Sequence, residues 1–326
     1  WQAAFPRAHH AAMPGHAEAV TLESSPLSNL KAYTRLASAL LEPFRAMLLR
    51  MRGKTLTVFG YGELRGVPMH LLPFEGQRLG QWMRVQYSLD QGALASKNGS
   101  SQVILALDGK LELGQGQDDH LSIIEPILGS LQSSHKWETE LHELGWHGTS
   151  PGRAQPSSIT ALRKAIPRAG LLLLLSHAEY APANGWINAI SFTRWNQLSG
   201  GDVLLMPRVP SRVVLIACNS GTAVDVVGGQ ESLGIAQAFL LQGSQEVLST
   251  NRTVSREAGA AVAQIVSAYL AAHPEDSLST AMEATIDHIL SATSAERIGD
   301  NPGGGPHLAG LVHARSELDS FRVLCR

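Results

Sequence analysis

Apolar positions in the opening third recur at helical spacing. In "LSNLKAYTRLASALLEPFRAMLLRMR", Leu30, Tyr33, Leu36, Leu40, Phe44 and Leu48 fall along one side, the recurrence of a helix packed on a core. Pro43 predicts a kink or a split within it. The period then changes. "TLTVFG", "WMRVQYSL" and "QVILAL" read as strands, and "GVPMHLLPFEG" as a proline-punctuated hairpin or bulged segment. "GTSPGRAQPSS", Gly148 to Ser158, has the composition of an internal linker. Beyond it, "SITALRKAIPRAG" reads as a helix capped at Ser158 and closed near Gly170, running into the unbroken strand "LLLLLS". The strand "VVLIAC", the helix "ESLGIAQAFLLQG", the strand "EVLST" and helices near 255–272 and 277–291 follow. Alternation of this kind, with continuous Leu and Val runs, predicts an α/β fold whose mainly parallel sheet is flanked by helices on both faces.

Composition narrows the function classes. Hydrophobic residues make up 44% and charged residues 17% of 326 positions, an ordinary globular balance with ample chain for a core. The formal charge is −2 and no basic cluster occurs, which argues against a nucleic-acid partner. The apolar run "GLLLLL" falls far short of the roughly 20 residues a membrane helix needs, and the start lacks an export signal. Neither a membrane nor export is expected. Two cysteines, Cys218 and Cys325, are too few for a disulfide framework and fit a reducing compartment, so a cytoplasmic location is expected. The opening Ala/Pro/His stretch reads as linker from a larger chain over 1–27. An amino-terminal α/β subdomain over 28–150 and a catalytic subdomain over 151–326 are expected after it.

The candidate chemistry lies at two strand ends. His177 follows "LLLLLS", and Cys218 closes "SRVVLIAC" before a turn of Asn219, Ser220 and Gly221. Active sites of open parallel sheets gather beyond the carboxyl ends of the strands, so neighbouring strands would bring the two side chains together as a dyad. A free thiol has a pKa of about 8.5, and an imidazole or amide-rich turn beside it favours the reactive thiolate. Ala217, Cys218 and Gly221, with His177 upstream, also approach the Q-A-C-[RQG]-G pattern of caspases, one residue longer in the glycine spacing.

Beyond this pair, the chain resembles the CHAT family, caspase-like peptidase domains often found beside tetratricopeptide repeats. "LLEPFRAML" and "ELRGVPMHLLPFEG" resemble its amino-terminal segments, "SITALRKAI" through "LLLLLSHAEY" its His strand, and "PSRVVLIACNSG" its Cys strand. "GGQESLGIAQAFLLQGSQEVLST" resembles its glutamate-bearing helix and next strand, and "PHLAGLVHA" its closing strand. The resemblance implies a caspase-haemoglobinase-like fold and cysteine endopeptidase activity on protein substrates. It implies Cys218 as nucleophile, His177 as general acid and base, and the Cys218 and Ala178 amides as oxyanion hole. It also implies upstream repeats or another regulatory partner, and neither cofactor nor metal. Two departures stand out: Ala178 replaces the glycine common after the His, and Asn251 replaces the tryptophan expected after "LST".

Other residues divide between specificity and support. Glu179 and Asp225 could select a basic residue before the scissile bond, Arg252 and Arg256 an acidic one, and solvated surface charge is the alternative for each. Asn251 could wall the specificity pocket. Glu231 either braces the Cys loop or merely favours a helix start. Cys325 in "FRVLC" is most simply a buried strand residue or a terminal fray. The glycines of "VFGYGELRG" do not fit a dinucleotide fingerprint, since their spacing departs from it and Pro68 and Pro73 fall where the phosphate-binding helix should run. "HAE" at His177 lacks the P-C-x-x-C of a zinc deaminase, and His9, His10 and His16 read as linker. A degenerate interaction module, or a thiol enzyme acting on a non-peptide acyl group, are the rival readings.

Overall fold

The computed structural model describes residues 30–59, 67–88, 100–108, 118–144, 158–179, 189–193, 196–221, 234–293 and 306–325. The first helix, α1 (Leu30–Leu41), buries Tyr33, Leu36 and Leu41. Pro43 splits it from α2 (Arg45–Arg50) through a 3-10 turn at Glu42–Phe44. Strand β1 (Thr55–Val58) precedes the short hairpin of β2 (Pro73–Phe74) and β3 (Gln77–Arg78). The hairpin turns through Glu75 and Gly76 at φ of 50° and 77°, the positive values that a tight two-residue connection demands. Helix α3 (Leu79–Trp82) leads to β4 (Arg84–Ser88), and β5 (Gln102–Asp108), α4 (Asp118–Ser133) and β6 (Glu138–Leu144) complete the first half.

The second half continues with α5 (Ile159–Ala165), β7 (Leu171–Leu175), β8 (His177–Glu179), β9 (Ala189–Thr193) and β10 (Asn196–Ser199). Then come α6 (Gly200–Leu204), β11 (Arg212–Ile216), α7 (Ile235–Gln242), β12 (Glu246–Thr250), α8 (Arg256–Ala272), α9 (Leu278–Ala292), α10 (Pro306–Glu317) and β13 (Phe321–Cys325). Ser158 caps α5 as expected, its hydroxyl accepting from Ala161 N.

Eight strands form one sheet in the order β1-β4-β13-β12-β11-β7-β5-β6. All neighbours are parallel except β12 and β13. Four of the strands precede residue 150 and four follow it, so the two proposed subdomains share a single sheet. The central strands β7 and β12 are buried at every position, because helices flank the sheet and leave neither strand a solvent-facing side. Each leucine of β7 removed from water contributes roughly 1.5–3 kcal/mol. At the two edges the burial breaks up, to an exposed-intermediate alternation in β1 and a largely half-buried run in β6.

One expectation is corrected. "PHLAGLVHA" is helix α10 rather than the closing strand. Its buried positions, Leu311 and Ala314, run on to buried Leu318 at intervals of three and four, the spacing of a helix face. The closing strand is β13, where Cys325 pairs with Glu246 on one side and Ser88 on the other.

Helix α8 approaches β11 closely at Gly259, where an added Cβ would lie 2.8 Å from Ile216 Cγ2. Ile216 is β-branched and packed in the core, so the methyl has little room to move aside. Gly259→Ala is therefore expected to destabilise the fold by about 1–3 kcal/mol, read as a lower urea midpoint with an unchanged slope.

Candidate active site

The pairing of β7 with β11 sets the site. The last paired residues are Leu175 and Ile216, and the Ser176 amide still donates to Ile216 O at 3.1 Å. Counting on from that pair, His177 and Cys218 each stand two residues beyond it, at the same edge of the sheet. Ser176 is held from the other side by its hydroxyl, which donates to Ser191 O at 2.5 Å. Directly after it the chain enters a second, three-stranded sheet, with His177 opposite Ser191, Ala178 opposite Ile190 and Glu179 opposite Ala189. This small sheet escapes the sequence reading. Its strands are three to five residues long, too short to show an alternation.

Strand β5 lies on the far side of β7 and its chain moves outward to β6, whereas the chain from β7 moves toward β11. The order of strands thus reverses between β5 and β7, the kind of place at which open α/β sheets bind ligands. Asp108 ends β5 there, one register step past the Leu107–Leu175 pair and buried. Sequence reasoning missed this carboxylate because only the apolar part of the strand drew attention.

Cys218 is half-buried, and its Sγ lies 3.6 Å from Val254 O. Asn219 adopts φ of 56°, a left-handed conformation that Asn tolerates better than most residues. The turn is tied down at each step. Ser220 N donates to Ala217 O at 3.1 Å, Asn219 N to Arg252 O at 3.0 Å and Gly221 N to Thr250 O at 2.7 Å. Thr250 Oγ1 donates to Ala217 O at 2.6 Å, and Thr250 N donates to the Ser220 hydroxyl at 3.1 Å. Gly221 passes so near β12 that a Cβ would lie 2.4 Å from Ser249 Oγ. Among the described residues, no backbone acceptor faces the Cys218 backbone N–H.

The other expected residues separate. Arg252 Nη2 is bound to the Asp319 carboxylate at 2.6 Å, with Asp319 only 1% exposed. Burial raises the pKa of Asp319 above the usual carboxylate range, while Arg252 and Arg322 oppose the rise. Asn251, half-buried, donates from its side chain to Ser320 O at 2.8 Å and accepts from Arg322 Nε and Nη2 at 3.1 and 3.0 Å when its amide is oriented to satisfy both. It is engaged with the end of the neighbouring strand. Arg256 pairs with Glu257 at 3.0 Å. His177, Ala178 and Glu179 are described by backbone alone, and Asp225 and Glu231 lie outside the described residues. Among the described residues, no group of three His, Cys, Asp or Glu could hold a metal, and no helix is long and apolar enough to cross a membrane.

Cys325 contrasts with Cys218. It is 6% exposed within β13, and burial pushes its thiol up to about 12. Near neutral pH, iodoacetamide is expected to label Cys218 at least about tenfold faster than Cys325, since alkylation needs an accessible thiolate. Peptide mapping by mass spectrometry reads the two rates.

A family model for the CHAT domain matches residues 30–298. No curated protein matches the sequence. Among solved structures, the chain is similar to Saccharomyces cerevisiae separase in its complex with securin, at a TM-score of 0.50 and 11% identity. That alignment covers 84% of this chain and 15% of the separase chain. RgpB of Porphyromonas gingivalis, crystallised as a complex of its pro- and mature domains, aligns at a TM-score of 0.49 and 10% identity over 90% of this chain and 68% of that one.

Proposed function

The chain belongs to the CHAT domain family and has a caspase-like fold, and on that premise we propose that it is a cysteine endopeptidase with a His177–Cys218 dyad. The carrying observation is the β7–β11 register, from which both residues emerge two positions past the last pair. In this reading the Cys218 thiolate attacks the scissile carbonyl carbon, and the Cys218 and Ala178 amides receive the negative charge that develops on its oxygen. Collapse of the tetrahedral intermediate breaks the C–N bond, and His177 donates its proton to the departing amine. A water then attacks the thioester, giving its proton to His177 and releasing the acid and the thiolate.

The ion pairs of the two candidate arginines support a preference for one class of peptide. Arg252 and Arg256, the cations that would select an acidic residue, already face Asp319 and Glu257. The acids Glu179 and Asp225 are the remaining candidates, and they favour a basic residue before the scissile bond. Upstream tetratricopeptide repeats or another regulatory partner would control access to the site. A second reading, an interaction module without turnover, draws support from Asn251, whose side chain is engaged with Ser320 and Arg322 where the resemblance leads to the expectation of a tryptophan.

A randomised peptide library separates these readings. Cleavage after Lys or Arg, lost in Cys218→Ala and kept in Cys325→Ala, is the expected outcome. No cleavage by the native chain, together with Cys218 labelling that His177→Ala leaves unchanged, would favour the interaction module. Ala178→Gly is expected to keep turnover the same or raise it, because the backbone amide is the donor and glycine widens the range of φ available to aim it. Steady-state kinetics on the best library peptide checks this.

A further inference from the structure

Five residues cross from the end of β12 to the start of α8, and the Cys loop leans on them. The Asn219 amide donates to Arg252 O and the Cys218 thiol faces Val254 O. None of the five belongs to a strand or helix, so sheet pairing does not hold those two carbonyls in place. A second stretch, residues 317–322, is bonded to the same five residues. Glu317 accepts from Ser255 N at 2.7 Å. Asp319 binds the Arg252 guanidinium at 2.6 Å. Ser320 O accepts from Asn251 N at 2.9 Å, and Arg322 reaches the Asn251 side chain. The crossing segment is clamped between this brace and the loop that carries Cys218.

Within the brace, Asp319 binds the side chain of Arg252, the residue whose carbonyl meets the Asn219 amide. A carboxylate that is 1% exposed is costly to bury without a partner, and its charge-assisted bond to Arg252 is correspondingly directional. We propose that Asp319 is a positioning residue for Cys218: it holds the Arg252 side chain, thereby fixes the Arg252 carbonyl against Asn219, and so sets the angle at which the thiol leaves β11. This rests on the reading of Cys218 as nucleophile.

Asp319→Asn keeps the shape and removes the charge. It is expected to lower kcat on the best library peptide by about tenfold while KM stays within about twofold, the signature of an interaction felt in the transition state. The Asn219 amide should exchange with deuterium at least about tenfold faster, while the Gly221 amide, bonded to Thr250 O, keeps its rate. Arg252→Lys, which can still meet Asp319, should lie between the native chain and Arg252→Ala in both readouts. Should Asp319→Asn fail to fold, Arg252→Ala serves in its place, since Arg322 still compensates the carboxylate. An unchanged Asn219 exchange rate in the folded variants overturns the proposal. If the native chain cuts peptides and kcat does not fall in Asp319→Asn, the positioning role fails while the peptidase reading stands. If the native chain cuts nothing, the peptidase reading fails, and the exchange rates alone decide whether Asp319 sets the loop.

Discussion

Two strands without a polar face can persist only where every backbone group finds a partner and both sides are covered. β7 and β11 meet that condition by lying next to each other in the middle of the sheet, in unbroken register from Leu171 with Arg212 to Leu175 with Ile216. Aliphatic side chains leave them no other stable arrangement, because an exposed edge would present both apolar faces and open hydrogen-bonding groups to water. The helices, the flanking strands and the small second sheet all serve to keep this pair dry. Polarity returns abruptly at its carboxyl end, with Ser176 on one strand and Asn219 and Ser220 just past the other. The place where the sheet must stop is thus also where side-chain hydroxyls take over part of the hydrogen bonding.

A second constraint operates inside the other half of the sheet. Arg322 is 4% exposed, yet it is supplied with Val67 O at 3.2 Å, the face of the Tyr87 ring at 5.2 Å and the Asn251 side chain. Tyr87 in turn shares a 2.8 Å hydrogen bond with His70 Nδ1. Burial, followed by the charges of Arg322 and Arg78, lowers the His70 pKa well below its ordinary value. The imidazole therefore stays neutral and adds no second positive charge beside the guanidinium. A buried ionic group of this kind gives little net stability, but breaking it is expensive, so it fixes the geometry between the amino-terminal strands and the end of β12.

Much of this architecture is readable in the chain, and the reasons differ from element to element. The β7 and β11 runs are legible because burial on both faces leaves them almost wholly apolar, whereas β12 also buries Glu246, Ser249 and Thr250. The split at Pro43 and the hairpin at Glu75 and Gly76 follow from local chemistry. Helix α10 departs from the closing strand that the resemblance implied, because the fragment alone is too short to show a period and only the later Leu318 completes its helix face. Asp319 carried no signal at all: an isolated acid in "ELDSF" looks like surface, and its meaning depends on Arg252, which is remote in sequence. Asp108 was hidden in the same way, by standing one residue past a strand recognised only through its apolar core. Local pattern therefore shows the strand ends that carry His177 and Cys218, while the placement of Asp108 and Asp319 is set by tertiary neighbours.

The one antiparallel contact in the large sheet, between β12 and β13, bears on how the molecule assembles. β13 follows all the other described strands in the chain, yet it sits between β12 and β4 and pairs with both. Tyr87 finds its partner in Leu324, so β1 and β4 can pair with each other early but gain their next strand in the sheet only when the latest strand arrives. Contacts of such sequence separation close slowly, and their loop entropy is recovered only once β13 has inserted. Completion of the sheet and burial of Arg322 on β13 are consequently one event. During synthesis, the strands leading to His177 and Cys218 would already be paired while the brace beside the thiol was still missing.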